Sequence, residues 1–185
     1  LIRPSDIRLK RYEETSDRLL IFVVDASGSA AMSRLGEAKG AVELLLAEAY
    51  ARRDHVALIA FRGNSAEILL PPTRSLVQTK RRLAGLPGGG GTPLASGLRA
   101  AAELAVQARG RGLSPTLAML TDGRANIALD GSADRDRAGS DATALARMIR
   151  MQGIPGLVLD MSNRPQDALR DLASHMDAPY IPLPR

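Results

Sequence analysis

The chain has 185 residues, a net charge of +5 and an apolar fraction of 45%, enough for one globular domain with a core of its own. Aromatics make up 3% and Trp is absent, so the core is aliphatic, and the absence of Cys excludes disulfides, thiolate metal sites and cysteine nucleophiles. No apolar run reaches the roughly 18 residues a membrane helix needs. The amino-terminal segment does not read as a secretory signal, and the cytoplasm is the expected location.

Residues 1–17 read as a polar, basic lead-in and residues 18–185 as the domain. Leu19 to Val24 is an unbroken apolar, β-branched run ending in Asp25, the pattern of a strand covered on both faces. After a small-residue loop, Leu35, Ala38, Val42, Leu45, Leu46 and Ala49 recur at helical spacing, and Arg52-Arg53 close that helix. Val56 to Phe61 is a second strand. Arg62-Gly63-Asn64-Ser65 turns the chain, and Ala66 to Leu70 returns, with Pro71-Pro72 expected to stop it. So short a loop forces antiparallel pairing.

A short helix follows at 75–84, then four glycines at 88–91 and Thr92-Pro93. Pro93 is placed to open a helix that buries Leu94, Leu98, Ala101, Ala105 and Ala108. Thr116 to Thr121 is a strand ending at Asp122. Residues 123–140 show no periodicity and read as a long functional loop. A helix at 141–152, a strand at 157–159, a helix at 166–176 and a strand near Tyr180-Ile181 complete the chain. The alternation predicts an α/β fold: a doubly wound, mostly parallel six-stranded sheet with one antiparallel edge strand and helices on both faces.

Open parallel sheets bind ligands at the carboxyl ends of their strands, where the strand order reverses. Asp25 and Asp122 each end a strand. If those strands are neighbours, both carboxylates meet the hydroxyls of Ser27, Ser29 and Thr92 in one crevice. All five are hard oxygen donors, suited to Mg²⁺, Mn²⁺ or Ca²⁺, and so few carboxylates favour a water-retaining Mg²⁺. Ala26, Gly28 and Ala30 keep the loop tight enough to turn its oxygens inward. Two carboxylates barely offset a dication, so a position is expected to stay open for an outside carboxylate. Taken singly, each residue has a plainer role: Ser27 or Ser29 as a helix cap, Thr92 as a cap before Pro93, Asp122-Gly123 as a turn.

Asp25-x-Ser27-x-Ser29 with Thr92 and Asp122-Gly123 resembles the metal-ion-dependent adhesion site of the von Willebrand factor A (integrin I) family. In that family the serines and the threonine typically coordinate directly, and the aspartates often act through water. The stretches 21–29, 61–63, 69–75, 89–94 and 120–126 are further similar to the carboxyl-terminal domain of magnesium chelatase D subunits. One departure is Ala30-Ala31-Met32, where many relatives place Met directly after the second serine. The resemblance implies a non-catalytic domain in the ATP-dependent complex that inserts Mg²⁺ into protoporphyrin IX in (bacterio)chlorophyll biosynthesis. Its implied partners are an AAA+ ATPase subunit, a large porphyrin-binding subunit and an acidic linker of its own chain. A cobalt chelatase-type subunit is the nearest alternative.

The phosphate loop G-x-x-x-x-G-K-[ST] is absent, and the glycines 88–91 lack its Lys, so no nucleotide is expected here. An Asp-dependent phosphatase is a further reading, but Ser27 stands where its second acid belongs. Arg124, Arg135 and Arg137 on the long loop are candidates to grip an acidic partner, and Asn126 to brace the metal loop. Only Lys10, Lys39 and Lys80 are lysines. Arginine's planar fork suits carboxylates, so a basic face suits an acidic partner, while no aromatic-interleaved stripe points to nucleic acid.

Overall fold

The computed structural model describes residues 17–183, without the side chains of residues 29–32 and 34. The expected lead-in lies outside the described residues except for Asp17, which already belongs to the first strand. In chain order the elements are β1 (Asp17–Asp25), α1 (Gly28–Glu37), α2 (Lys39–Ala51), β2 (His55–Arg62), β3 (Ser65–Thr73) and α3 (Leu76–Ala84). There follow α4 (Leu94–Gly110), β4 (Leu113–Thr121), α5 (Arg135–Met151), β5 (Gly156–Asp160), α6 (Asp167–Met176) and β6 (Tyr180–Pro182).

The six strands form one sheet in the order β3-β2-β1-β4-β5-β6. All neighbours pair parallel except β2 and β3, as the short turn at Gly63-Asn64 requires. Strand β1 shows why its sequence is apolar throughout. Ile21 and Val23 enter the core on one face with α4, α5 and α6, while Phe22 and Val24 enter the core on the other with α2. The chain leaves β1 toward β2 on one side and later fills β4, β5 and β6 on the other. The reversal therefore falls between β1 and β4, whose register pairs Val24 with Leu120.

Three expectations need correction. The prolines do not stop β3, which runs to Thr73 opposite Val56, with register shifts near Leu58. An edge strand tolerates residues without an amide hydrogen where a central strand does not. Helix α5 begins at Arg135, not 141, because Asp134 caps it: the Asp134 carboxylate accepts from Arg137 N–H at 3.1 Å. Its first turn is charged, so periodicity becomes visible only from the buried Ala138 onward. The helix after the first loop starts at once, at Gly28, and breaks at Ala38 into α1 and α2, with Gly36 and Gly40 flanking the break.

Among the described residues no helix is long and apolar enough to cross a membrane. Helix α4 packs on the sheet through a buried face rich in Ala, with Gly97 among it. A Cβ on Gly97 would stand 2.6 Å from the ring of Phe61, which is fully buried on β2. Gly97→Val is therefore expected to cost about 1–3 kcal/mol through overpacking, read as a lower urea midpoint at unchanged m-value.

Candidate metal centre

Asp25, at the end of β1, is 2% exposed. Its Oδ1 accepts from the Ser27 amide at 2.9 Å and from Ser27 Oγ at 2.5 Å, and its Oδ2 accepts from Thr121 Oγ1 at 3.0 Å. Burial raises the Asp25 pKa, and the nearby Asp122 charge adds to the rise. The Ser27 and Thr121 hydrogen bonds pull the other way. The carboxylate is thus held by donors yet short of positive charge.

Two further loops close over it. The Gly89 amide donates to Ala26 carbonyl at 3.0 Å, tying the glycine loop to the β1 loop. A Cβ on Gly91 would meet Gly63 carbonyl at 3.0 Å and Ile127 at 2.6 Å, so only glycine lets these backbones touch. That approach delivers the buried Thr92, whose Oγ1 donates to Ser27 Oγ at 2.7 Å. Asn126 clamps Thr92 from the other side. Its Oδ1 accepts from Thr92 N–H at 2.7 Å, and its own amide donates to Thr92 carbonyl at 3.2 Å. Asp122 turns the chain beyond β4, its Oδ1 accepting from Arg124 N–H at 3.1 Å. Gly123 follows at φ +77, packed so closely on Leu169 that a Cβ would lie 2.7 Å from its side chain.

Ser27, Thr92, Asp122, Arg124, Asn126 and Arg135 all line one open cleft of about 720 Å³ at the carboxyl ends of β1 and β4. Asp25 is not among the lining residues and connects to the cleft through its bonds to Ser27. Ser29 stands in the first turn of α1, beside Gly28, which also lines the cleft, but its side chain is outside the description. Arg137 is not among the lining residues and pairs with Asp130 at 2.8 Å. Sequence reasoning passed over Thr121, whose fully buried hydroxyl receives Gly123 N–H at 3.1 Å while bonding Asp25. Its signal was a hydroxyl residue ending an otherwise apolar strand.

The donor set fits a small hard dication. Cis ligands of an octahedral Mg²⁺ at about 2.0–2.1 Å lie about 2.9 Å apart, and the Ser27 and Thr92 oxygens are already 2.7 Å apart. Their hydroxyl protons need only rotate away to free lone pairs for a metal. A cation would also reverse the electrostatic deficit at Asp25. Among the described residues no group of three His, Cys, Asp or Glu is placed to hold a metal, so any ion here would lean on the hydroxyls of Ser27 and Thr92.

This arrangement defines a class. A model of the von Willebrand factor type A domain matches residues 20–124, and the chain belongs to that family. Solved structures agree on the fold: the von Willebrand domain of the pilus tip protein Mfa5 from Porphyromonas gingivalis superposes with a TM-score of 0.70 at 12% identity, over 90% of each chain. The SpRpn10 VWA domain does so at 0.67 and 13% identity, over 91% of this chain and 89% of its own. More particular relatives are the magnesium-chelatase 60 kDa subunits of Cereibacter sphaeroides, 70% identical, and Rhodobacter capsulatus, 64% identical, both across all of this chain. The magnesium-chelatase 67 kDa subunit of Chlorobaculum tepidum is 43% identical, again across all of it. The chain spans about a third of the length of these curated relatives.

Raised in the fold, the Asp25 pKa means that the neutral acid favours the native state, and that this contribution is lost as pH climbs from the ordinary carboxylate value through the raised one. Metal-free Asp25→Asn is therefore expected to melt no lower than the parent at neutral pH, with the difference fading toward pH ~4. Mg²⁺ at about ten times its dissociation constant should raise the parent's Tm by a few degrees and leave the variant unmoved. Asn126→Ala should weaken the apparent metal affinity by about 10–100-fold, as loss of a ligand-orienting partner does, which calorimetric titration with Mg²⁺ and Mn²⁺ reads directly.

Proposed function

We propose that this domain is a metal-ion-dependent protein-interaction module of a magnesium chelatase subunit, and that it helps assemble the ATP-driven complex inserting Mg²⁺ into protoporphyrin IX. The observation that carries the reading is the meeting of Ser27, Thr92 and Asp122 at one open cleft, with the buried Asp25 hydrogen-bonded to Ser27. The identity to proteins named magnesium-chelatase subunits supports the biological setting and favours magnesium over a cobalt-inserting relative.

The resident ion is Mg²⁺, with Ser27, Ser29 and Thr92 as direct ligands and Asp25 and Asp122 as direct or water-bridged ones. It supplies a Lewis-acidic point of attachment. The residues around it do the rest. Asp25 orients Ser27, Asn126 orients Thr92, and the cleft admits an oxygen from outside. A carboxylate of the AAA+ ATPase subunit or of the porphyrin-binding subunit is the natural last ligand, because it supplies the charge that two aspartates leave short. Arg124 and Arg135, lining the same cleft, stand where further acids of that partner would arrive. The Mg²⁺ delivered to the porphyrin is cargo and distinct from this ion.

A phosphatase reading loses ground on geometry. Asp25 is buried and both its oxygens accept hydrogen bonds, which is poor preparation for nucleophilic attack. In the full-length subunit, Asp25→Ala with Ser27→Ala is expected to keep the fold by circular dichroism and lose Mg²⁺-dependent capture of the ATPase subunit. Equal capture by parent and double variant, in Mg²⁺ and in chelator alike, would overturn the proposal.

A further inference from the structure

Of the 25 basic side chains only three are lysines. Both of those among the described residues, Lys39 and Lys80, line one groove although they stand on different helices. The groove has a volume of about 460 Å³. Its walls are the carboxyl end of α1 at Leu35, the first two turns of α2 at Val42 and Leu46, and the last turn of α3 at Leu83. Topology leaves it open. Helix α3 follows the antiparallel strand β3 and packs on β2 and β3, whereas α2 shares the core of Phe22 and Val24 nearer the middle of the sheet. Val42 and Leu46 are buried, and Leu35 and Leu83 are left half-buried where that core reaches water.

An aliphatic concavity of this size with a few polar groups at its mouth is the usual ground of a small-molecule site. The polar groups here are Lys39, Glu43 and Lys80. Glu43 stands 3.8 Å from Lys39 one turn away, and Lys80 pairs with no carboxylate among the described residues. The lining thus carries one net positive charge. That suits a single carboxylate, while Glu43 at the rim opposes a doubly charged phosphate. Lysine fits the task, because its stem lies along an apolar wall and its compact ammonium takes one acid without the fixed plane of a guanidinium. A docked helix needs walls on both sides over about two turns, and the α3 wall supplies one, from Lys80 to Ala84.

We infer that this groove binds a small amphiphilic carboxylate, with its apolar body on Leu35, Val42, Leu46 and Leu83 and its acid at the Lys80 ammonium. None of these residues lines the metal cleft, so the site stands apart from the metal centre. Two sources share the chemistry, an aliphatic chain acid and a tetrapyrrole bearing propionates. The second rests on the chelatase setting proposed above; the groove itself does not.

The test uses the 185-residue chain in chelator, without metal or partner, so that its result is independent of the metal-dependent reading. Two fluorescent probes are titrated, the chain acid cis-parinarate and protoporphyrin IX, each beside its methyl ester. At least one acid is expected to saturate the protein, with its ester about tenfold weaker or more. Lys80→Glu should weaken that acid about tenfold or more, and Lys80→Arg should hold it within a few-fold. Ala84→Trp, which fills the groove from an exposed rim position, should abolish binding, and Arg150→Glu, outside the groove, should leave it unchanged. The Tm of each variant is expected within a few degrees of the parent. Preference for parinarate assigns the groove to an aliphatic acid, and preference for protoporphyrin to a tetrapyrrole. Binding of neither acid, equal binding of acid and ester, or affinity unmoved by both Lys80→Glu and Ala84→Trp would overturn the inference. So would a full-length Ala84→Trp subunit that loses capture of the ATPase subunit while the parent binds neither acid, since the groove would then belong to a polypeptide.

Discussion

A carboxylate placed almost wholly out of water, at the point where the sheet's connections part to left and right, sets the terms for the rest of this molecule. Left alone, Asp25 would be costly to ionise. The fold answers with three donors, the amide and hydroxyl of Ser27 and the hydroxyl of Thr121, each supplied by the backbone path of β1 or β4. Those bonds fix where Ser27 points, and Ser27 in turn fixes Thr92. The donors satisfy the oxygens but bring no compensating charge. The oxygens at the end of the sheet are thus fixed in place by the fold itself.

Close approach of backbones makes this organisation possible. Gly90 and Gly91 let the glycine loop touch the β2–β3 turn at Gly63 where a side chain on either would collide, and Gly97 lets α4 settle on Phe61. The aliphatic, alanine-rich composition is the same device on a larger scale. With so few aromatic rings, the two core layers fill with aliphatic side chains around Phe22 and Phe61, and alanines line much of α4 and α5. The loops over the cleft inherit their positions from that packing.

Much of this was legible in the sequence. The unbroken run from Leu19 to Val24 announced a strand buried on both faces, and its terminal acid, with Asp122, marked the crest of the sheet. Ser27, Thr92 and Asp122 line one cleft, Asp25 is hydrogen-bonded to Ser27, and Ser29 stands in the adjoining first turn. What escaped the sequence depended on tertiary context. Pro71 and Pro72 read as a stop because edge position is invisible along the chain. The start of α5 was hidden by a solvent-facing charged turn whose only apolar mark is Ala138. The three loop arginines looked alike, yet Arg124 and Arg135 reach the cleft while Arg137 is drawn to Asp130. A long side chain's partner is set by loop geometry that no spacing rule encodes.

The two prolines late in β3 reach beyond strand boundaries. An outer strand ordinarily offers a row of amide hydrogens on which a neighbouring extended chain can crystallise, and β3 adds the half-exposed Ile68 as an adhesive spot. Of consecutive imino residues at 71 and 72, one removes an outward amide whichever way the pleat turns and so interrupts that row, and Pro182 ends the opposite edge strand β6. Two copies of this domain brought side by side would meet interrupted edges on both flanks.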